Sequence, residues 1–138
     1  MSDPSSAART WTGGCDCGAV RYRTSGPLRE VVNCHCGQCR RTHGHFAPYT
    51  NSPHATFELT EQRGLRWYRS SDFARRGFCG ECGASLFWER DGGEAIGIAA
   101  GTLDGHTGLK TVAHIFMDDA GDYYELNDDL PRYPGTMG

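Results

Sequence analysis

Seven cysteines in three tight groups constrain this chain more than any other feature: Cys15-x-Cys17, Cys34-x-Cys36-x-x-Cys39 and Cys79-x-x-Cys82. An odd number cannot pair off completely within one chain. Residues 1–9 are polar and lack an apolar signal-peptide core, so a reducing, cytoplasmic compartment is the expectation, and thiols stay reduced there. Clustered thiols in such a compartment point to a metal ion or to catalysis rather than to a disulfide scaffold.

The 138 residues fit one domain, because two independent cores would each be small. With 38% hydrophobic residues and 19 glycines, something besides the apolar core is expected to hold the fold together. A net charge of −3 argues against a protein whose main task is gripping nucleic acid. The longest apolar run, residues 95–100, is interrupted by Gly97 and falls far short of the roughly 20 residues of a membrane span. No membrane partner is expected.

Residues 19–24 alternate apolar and polar side chains, the period of a half-buried strand. Ser25-Gly26-Pro27 marks a turn after them. Short strands are also expected over 28–33, 46–50, 56–59, 65–69, 84–89, 95–100 and 112–117, with a lead into Cys79 from Arg76. No segment sustains a 3.6-residue apolar period over three turns. A turn or two of helix around 37–42 is the one plausible exception. The fold class is therefore mainly β, with short strands and at most one short helix. The pattern divides into a flexible tail over 1–10, one metal-binding β domain over 11–133 and a short tail over 134–138.

A structural zinc takes four ligands at tetrahedral corners, with thiolates about 2.3 Å away. Cys79-x-x-Cys82 followed by Gly83 is a strong half-site, since Gly80 and Gly83 permit the sharp turn between the ligands. Cys15 and Cys17 could complete it, leaving Cys34, Cys36 and Cys39 as a separate group. Alternatively Cys36 and Cys39 could complete it, as in a zinc ribbon, which strands the other three. Spacing favours the first division, which uses all seven, and the second stays open.

Three cysteines leave a fourth position for water or substrate, the layout of a catalytic zinc. A thiol taken up there would be held as thiolate. His43 or His45 could instead close the group as a structural site. His35 is less suited, flanked by ligands on both sides. Arg40 and Arg41 follow Cys39 directly and suit carboxylates of a substrate. Arg75 and Arg76 flank the other pair, and the bland reading of all four is charge balance or solvent exposure. Trp11, Trp67, Tyr68, Phe87 and Trp88 are expected in the core, and His114 as a satisfied core or edge histidine. Asp118, Asp119, Asp122, Asp128 and Asp129 read as a solvated acidic face.

The segments Gly14-Cys15-Asp16-Cys17-Gly18-Ala19-Val20-Arg21-Tyr22, Cys34-His35-Cys36-Gly37-Gln38-Cys39-Arg40-Arg41-Thr42-His43-Gly44 and Arg76-Gly77-Phe78-Cys79-Gly80-Glu81-Cys82-Gly83 resemble the glutathione-dependent formaldehyde-activating family, which includes centromere-protein-V-like members. Ala99-Ala100-Gly101-Thr102-Leu103-Asp104, His114-Ile115-Phe116 and Leu130-Pro131-Arg132-Tyr133 follow in the family's order, so the resemblance spans roughly residues 11–133. It implies a zinc-stabilised β-tent-type fold, a structural zinc at Cys15, Cys17, Cys79 and Cys82, and a second, catalytic zinc at Cys34, Cys36 and Cys39. It also implies a carbon–sulfur lyase activity of the S-(hydroxymethyl)glutathione synthase type, with glutathione or another small thiol as partner. His43 departs from the family pattern, which places a small residue before Gly44. Arg40, Arg41 and His43 are the candidate substrate contacts. A non-catalytic zinc-scaffolded binding module is the competing class, although the chain lacks the long basic extension that chromatin binding calls for.

Overall fold

The computed structural model describes residues 9–137, and the first eight residues of the expected N-terminal tail lie outside them. Strands β1 (Trp11–Gly14), β2 (Arg21–Thr24) and β5 (Phe57–Glu61) form an antiparallel sheet in the order β1-β2-β5. The larger sheet joins β3 (Val31–Cys34), β4 (Ala47–Pro53), β6 (Leu65–Arg69), β7 (Ala74–Cys79), β8 (Ser85–Arg90), β9 (Ala95–Ala99) and β10 (Thr111–Ile115). Its order is β10-β3-β4-β9-β8-β7-β6, antiparallel throughout except for the β3–β10 pair. One short helix, α1 (Gly37–His43), follows β3. The described chain is mainly β with a single short helix, as the sequence implies. No helix among the described residues is long and apolar enough to cross a membrane.

Alternation decides which side chains face inward. In β2, Tyr22 and Thr24 are buried while Arg23 is exposed. Tyr22 meets Phe57 and Phe87 at ring-centroid distances of 5.6 and 5.5 Å, and its hydroxyl lies 2.7 Å from Thr102 Oγ1, so the buried phenol has its partner. Val20, Leu86, Phe87, Ile96, Ile98 and Leu103 fill the space around it. Each fully buried side chain of this size contributes about 1.5–3 kcal/mol. Cys15 and Cys79 belong to the same buried cluster. The thiols are therefore part of the core, which explains how a Gly-rich chain with few large apolar residues can organise around them.

Several sequence expectations need correction. The sequence pattern marks no strand before residue 19 and leaves Trp11–Gly14 unassigned, whereas the structure makes it β1. Gly13 pairs with Tyr22, where an added Cβ would sit 2.3 Å from the phenol oxygen. The strand expected over 28–33 is Val31–Cys34, and the one expected over 112–117 is Thr111–Ile115. Tyr68 is not core: it is 55% exposed on the outer face of β6. Trp11 and Trp67 pack partly buried against the core, and Trp88 is half-buried.

The chain beyond β10 returns along that strand. His114 N–H donates to Pro131 O, Tyr133 N–H to His114 O and Phe116 N–H to Gly135 O, each at 2.9 Å. This edge strap brings Tyr124 and Asp128 over the end of β3, where the second cysteine group begins.

Candidate metal centres and the adjoining cavity

Four thiols converge where the loop after β1 meets the turn after β7. The Sγ atoms of Cys15, Cys17, Cys79 and Cys82 all lie within 4.8 Å of one another, with Cys17 3.8 Å from both Cys15 and Cys79. Cys15 and Cys79 are buried, Cys82 is half-buried and Cys17 is exposed. Backbone amides are aimed at the sulfurs: Val20 N–H donates to Cys15 Sγ at 3.2 Å and Glu81 N–H to Cys79 Sγ at 3.4 Å. Such donors favour the thiolate form. The turn between the second pair closes through Gly83 N–H donating to Cys79 O at 2.8 Å, with Gly83 at φ 83°. Of the two glycines expected to permit that turn, Gly83 alone takes a left-handed conformation. The zinc-ribbon pairing of Cys36 and Cys39 with Cys79 and Cys82 is not what the fold brings together.

The second group is built differently. Cys34 ends β3, Cys36 caps α1 and Cys39 lies in its first turn. Cys36 Sγ accepts from Cys39 N–H at 3.2 Å, so the cap that starts the helix is itself a member of the group. Gly44 in the left-handed region ends the helix, its N–H donating to Arg40 O at 2.8 Å. The Cys34, Cys36 and Cys39 sulfurs lie within 4.8 Å of one another, and no histidine or carboxylate joins them among the described residues. Hydrogen bonds from the Cys34 and Cys39 thiols hold Cys36 far below the ordinary thiol range, and Arg76 adds to the effect. The same bonds push Cys34 up.

None of the candidate histidines completes the trio. His43 Nε2 lies 3.0 Å from the Tyr49 hydroxyl. His45 is exposed and packs on Tyr124 at a centroid distance of 4.4 Å. His35 is fully buried, hydrogen-bonded to Tyr124 and to His114. His114 is a satisfied buried histidine, as expected, and its partner Asp128 is thereby drawn out of the purely solvated acidic face.

The arginines redistribute. Arg41 is exposed on α1, and Arg40 is half-buried with its Nε shielded from solvent and without a hydrogen-bond partner. Arg75 lies over the Trp67 ring at 3.8 Å and pairs with Glu89, away from both cysteine groups. Arg76 is the residue that the sequence left as one of a flanking pair. The residue is 8% exposed, and its guanidinium donates to Cys39 Sγ at 3.4 Å and to Gln38 Oε1 at 2.7 Å. Gln38 in turn donates to Ser70 O at 2.9 Å, which fixes its amide. No carboxylate pairs with Arg76 among the described residues. Three thiolates and a divalent ion sum to one negative charge, which this buried cation offsets. Both cysteine groups thus fit zinc by donor type, and the second fits it by charge as well.

Arg76 also walls a cavity of about 190 Å³ shared with His43, Tyr49, Ser85 and Phe87. Burial raises the Tyr49 pKa, so its phenol stays protonated. Burial, reinforced by the charge of Arg76, lowers His43 to about 4 and keeps it neutral at pH 7.

Comparison with known proteins adds an independent line. A family model described as "Glutathione-dependent formaldehyde-activating enzyme" matches residues 10–119. An uncharacterized lyase of Schizosaccharomyces pombe is 28% identical over 123 residues, covering 84% of this chain and 85% of the yeast protein. A crystal structure of a Rhodobacter sphaeroides protein superposes with a TM-score of 0.58 at 24% identity, covering 70% of this chain and 91% of that one, and shares its fold.

Proposed function

Because the chain belongs to the glutathione-dependent formaldehyde-activating enzyme family, we propose that it is a zinc-dependent carbon–sulfur lyase-like enzyme acting on a small thiol adduct. Glutathione and formaldehyde, giving S-hydroxymethylglutathione, are the leading substrate pair. The observation that carries this reading is the trio Cys34, Cys36 and Cys39, three convergent thiols with no fourth protein ligand among the described residues. Cys15, Cys17, Cys79 and Cys82 would hold a second, structural zinc. The lyase name carried by the yeast relative agrees with this class of chemistry.

Zinc held by Cys34, Cys36 and Cys39 would supply a Lewis acid that keeps an incoming thiol in its thiolate form at neutral pH. The chain's own residues do the rest. Arg76 offsets the negative charge of the trio from a position fixed by Gln38. Arg40 and Arg41 stand one and two positions beyond Cys39 and would engage the carboxylates of glutathione. Thiol addition to formaldehyde is intrinsically easy, so positioning and thiolate formation are the expected contributions.

The test combines metal analysis with exchange spectroscopy on glutathione and formaldehyde. Two zinc ions per chain and hydroxymethyl exchange faster than in buffer are the expected results. A protein with both ions that gives no acceleration would reject the substrate pair and favour a zinc-scaffolded binding module.

A further inference from the structure

The cavity walled by Arg76 is small, and its lining carries both a guanidinium and a phenol. At about 190 Å³ it has room for roughly six water molecules at ~30 Å³ each, less than the ~300 Å³ at which ligand pockets for larger molecules begin. A tripeptide thiol does not fit inside it, whereas a group of a few heavy atoms does. Phe87 and Phe78 supply apolar walls. Two of the polar groups are donors suited to an oxygen: the Arg76 guanidinium has no acceptor, and the protonated Tyr49 phenol has one hydrogen to give, while the Ser85 and Thr42 hydroxyls donate to the backbone at Thr42 O and Gln38 O. His43 Nε2, 3.0 Å from the phenol oxygen, orients it. In the tautomer with a proton on Nε2, His43 donates to that oxygen and leaves the phenol hydrogen free for the cavity. The cavity adjoins the cysteine trio through Arg76, which donates to Cys39 Sγ and is also a lining residue of the cavity.

Resting on the reading of Cys34, Cys36 and Cys39 as the place where a thiol is taken up, we propose that this cavity seats the oxygen of the one-carbon unit. That oxygen is the carbonyl of a small aldehyde or the hydroxyl of its thiol adduct, with Tyr49 and Arg76 as its donors and His43 as the residue that positions Tyr49. In the addition, the thiolate sulfur forms the C–S bond to the carbonyl carbon. The C=O π pair moves onto the oxygen, and the oxygen gains one proton, replacing the one that the thiol gave up. No oxidant or reductant is needed. Donors waiting where negative charge develops act in the transition state more than in the ground state, so they lower the barrier without tightening thiol binding.

The experiment uses the full chain loaded with zinc for exchange rates and with cobalt(II) for spectroscopy. Tyr49→Phe removes one donor while keeping the ring. Hydroxymethyl exchange between glutathione and formaldehyde is expected to slow at least tenfold at saturation. The glutathione concentration for half-saturation, read from its perturbation of the cobalt absorption bands, should stay within twofold of the unmodified protein. Arg76→Lys, which keeps the charge but loses the forked donor, is the second arm should Tyr49→Phe fold poorly, and the same split is expected. Saturated exchange within twofold of the unmodified protein in a folded variant would overturn the cavity assignment. Cobalt bands of the unmodified protein that glutathione leaves unchanged would overturn the reading of the trio as a thiol site, and this proposal with it.

Discussion

His35 Nε2 and His114 Nδ1 lie 2.9 Å apart in the interior, one just beyond the end of β3 and the other on β10. With both rings neutral, one nitrogen donates and the other accepts, and the outer partners decide which. The Asp128 carboxylate accepts from His114 Nε2 at 2.9 Å, which leaves His114 Nδ1 as the acceptor of the His35 proton. The Tyr124 hydroxyl then donates to His35 Nδ1. Four side chains form one directed series that ties the returning C-terminal strap to the strand that delivers Cys34.

Tyr124→Phe breaks that series at its first donor and leaves a fully buried ring nitrogen without its partner. An unsatisfied buried acceptor costs about 1–3 kcal/mol. Urea unfolding of the metal-loaded protein should show a loss in that range. A loss below about 0.5 kcal/mol would show that the strap is held by its backbone bonds alone.

The two cysteine groups should respond differently to loss of one ligand. Cys82→Ser opens a group two of whose other members, Cys15 and Cys79, lie in the core, so the variant is expected to lose cooperative unfolding and much of its near-UV dichroism. Cys36→Ser removes a helix cap that serine can replace, so the fold should survive while one metal equivalent is lost. Circular dichroism together with metal content decides. A cooperatively folded Cys82→Ser protein, or an unfolded Cys36→Ser protein, would reverse the roles given to the two groups.

The cysteine spacings were legible in the sequence because each is local. A strand end, a cap and a first helical turn put Cys34, Cys36 and Cys39 in reach of one another, and Gly83 closes the turn at Cys79 and Cys82. Which pair meets which was left open, because it depends on strands far apart in sequence: Cys17 meets Cys79 only when the β1 loop lies against the end of β7. Arg76 was not legible as a partner of Cys39. Adjacent residues on a strand face opposite ways, so Arg75 goes to Trp67 and Glu89 while Arg76 turns toward the helix. The His35–His114 contact escaped for a related reason: β3 and β10 are parallel neighbours, and nothing in either local pattern announces that pairing.

Acid should weaken the fold partly through His43. Burial first, and then the charge of Arg76, lower its pKa from 6.5 to about 4. As the pH falls, the unfolded chain takes up this proton near 6.5 while the folded chain still refuses it. The stability that depends on neutral His43 is therefore complete above pH 6.5 and is lost progressively as the pH falls toward 4. His43→Gln keeps a polar partner for Tyr49 and does not titrate. Its urea midpoint should decline less steeply than that of the unmodified protein between pH 6.5 and 4. Parallel declines would show that the acid sensitivity lies elsewhere, in the thiols or the strap.

Gly64 sits where the turn from β5 to β6 presses on the four-thiol group. A Cβ added there would lie 2.7 Å from Ala19 Cβ and 2.9 Å from Cys79 Sγ. Neither neighbour can yield alone, because Gly64 N–H donates to Ala19 O at 3.0 Å and Gly80 N–H donates to Gly64 O at 2.7 Å. Gly64→Ala therefore pushes the Cys15–Cys17 loop away from the Cys79–Cys82 turn. Overpacking of this kind costs about 1–3 kcal/mol, and part of it should appear as weaker metal binding at the four-cysteine group. Gly101→Ala is the control, since nothing lies within 4 Å of a Cβ built there. Chelator competition should show one of two metal equivalents leaving Gly64→Ala more readily, with Gly101→Ala unchanged. Equal retention in both variants would mean that the turn does not brace the thiols.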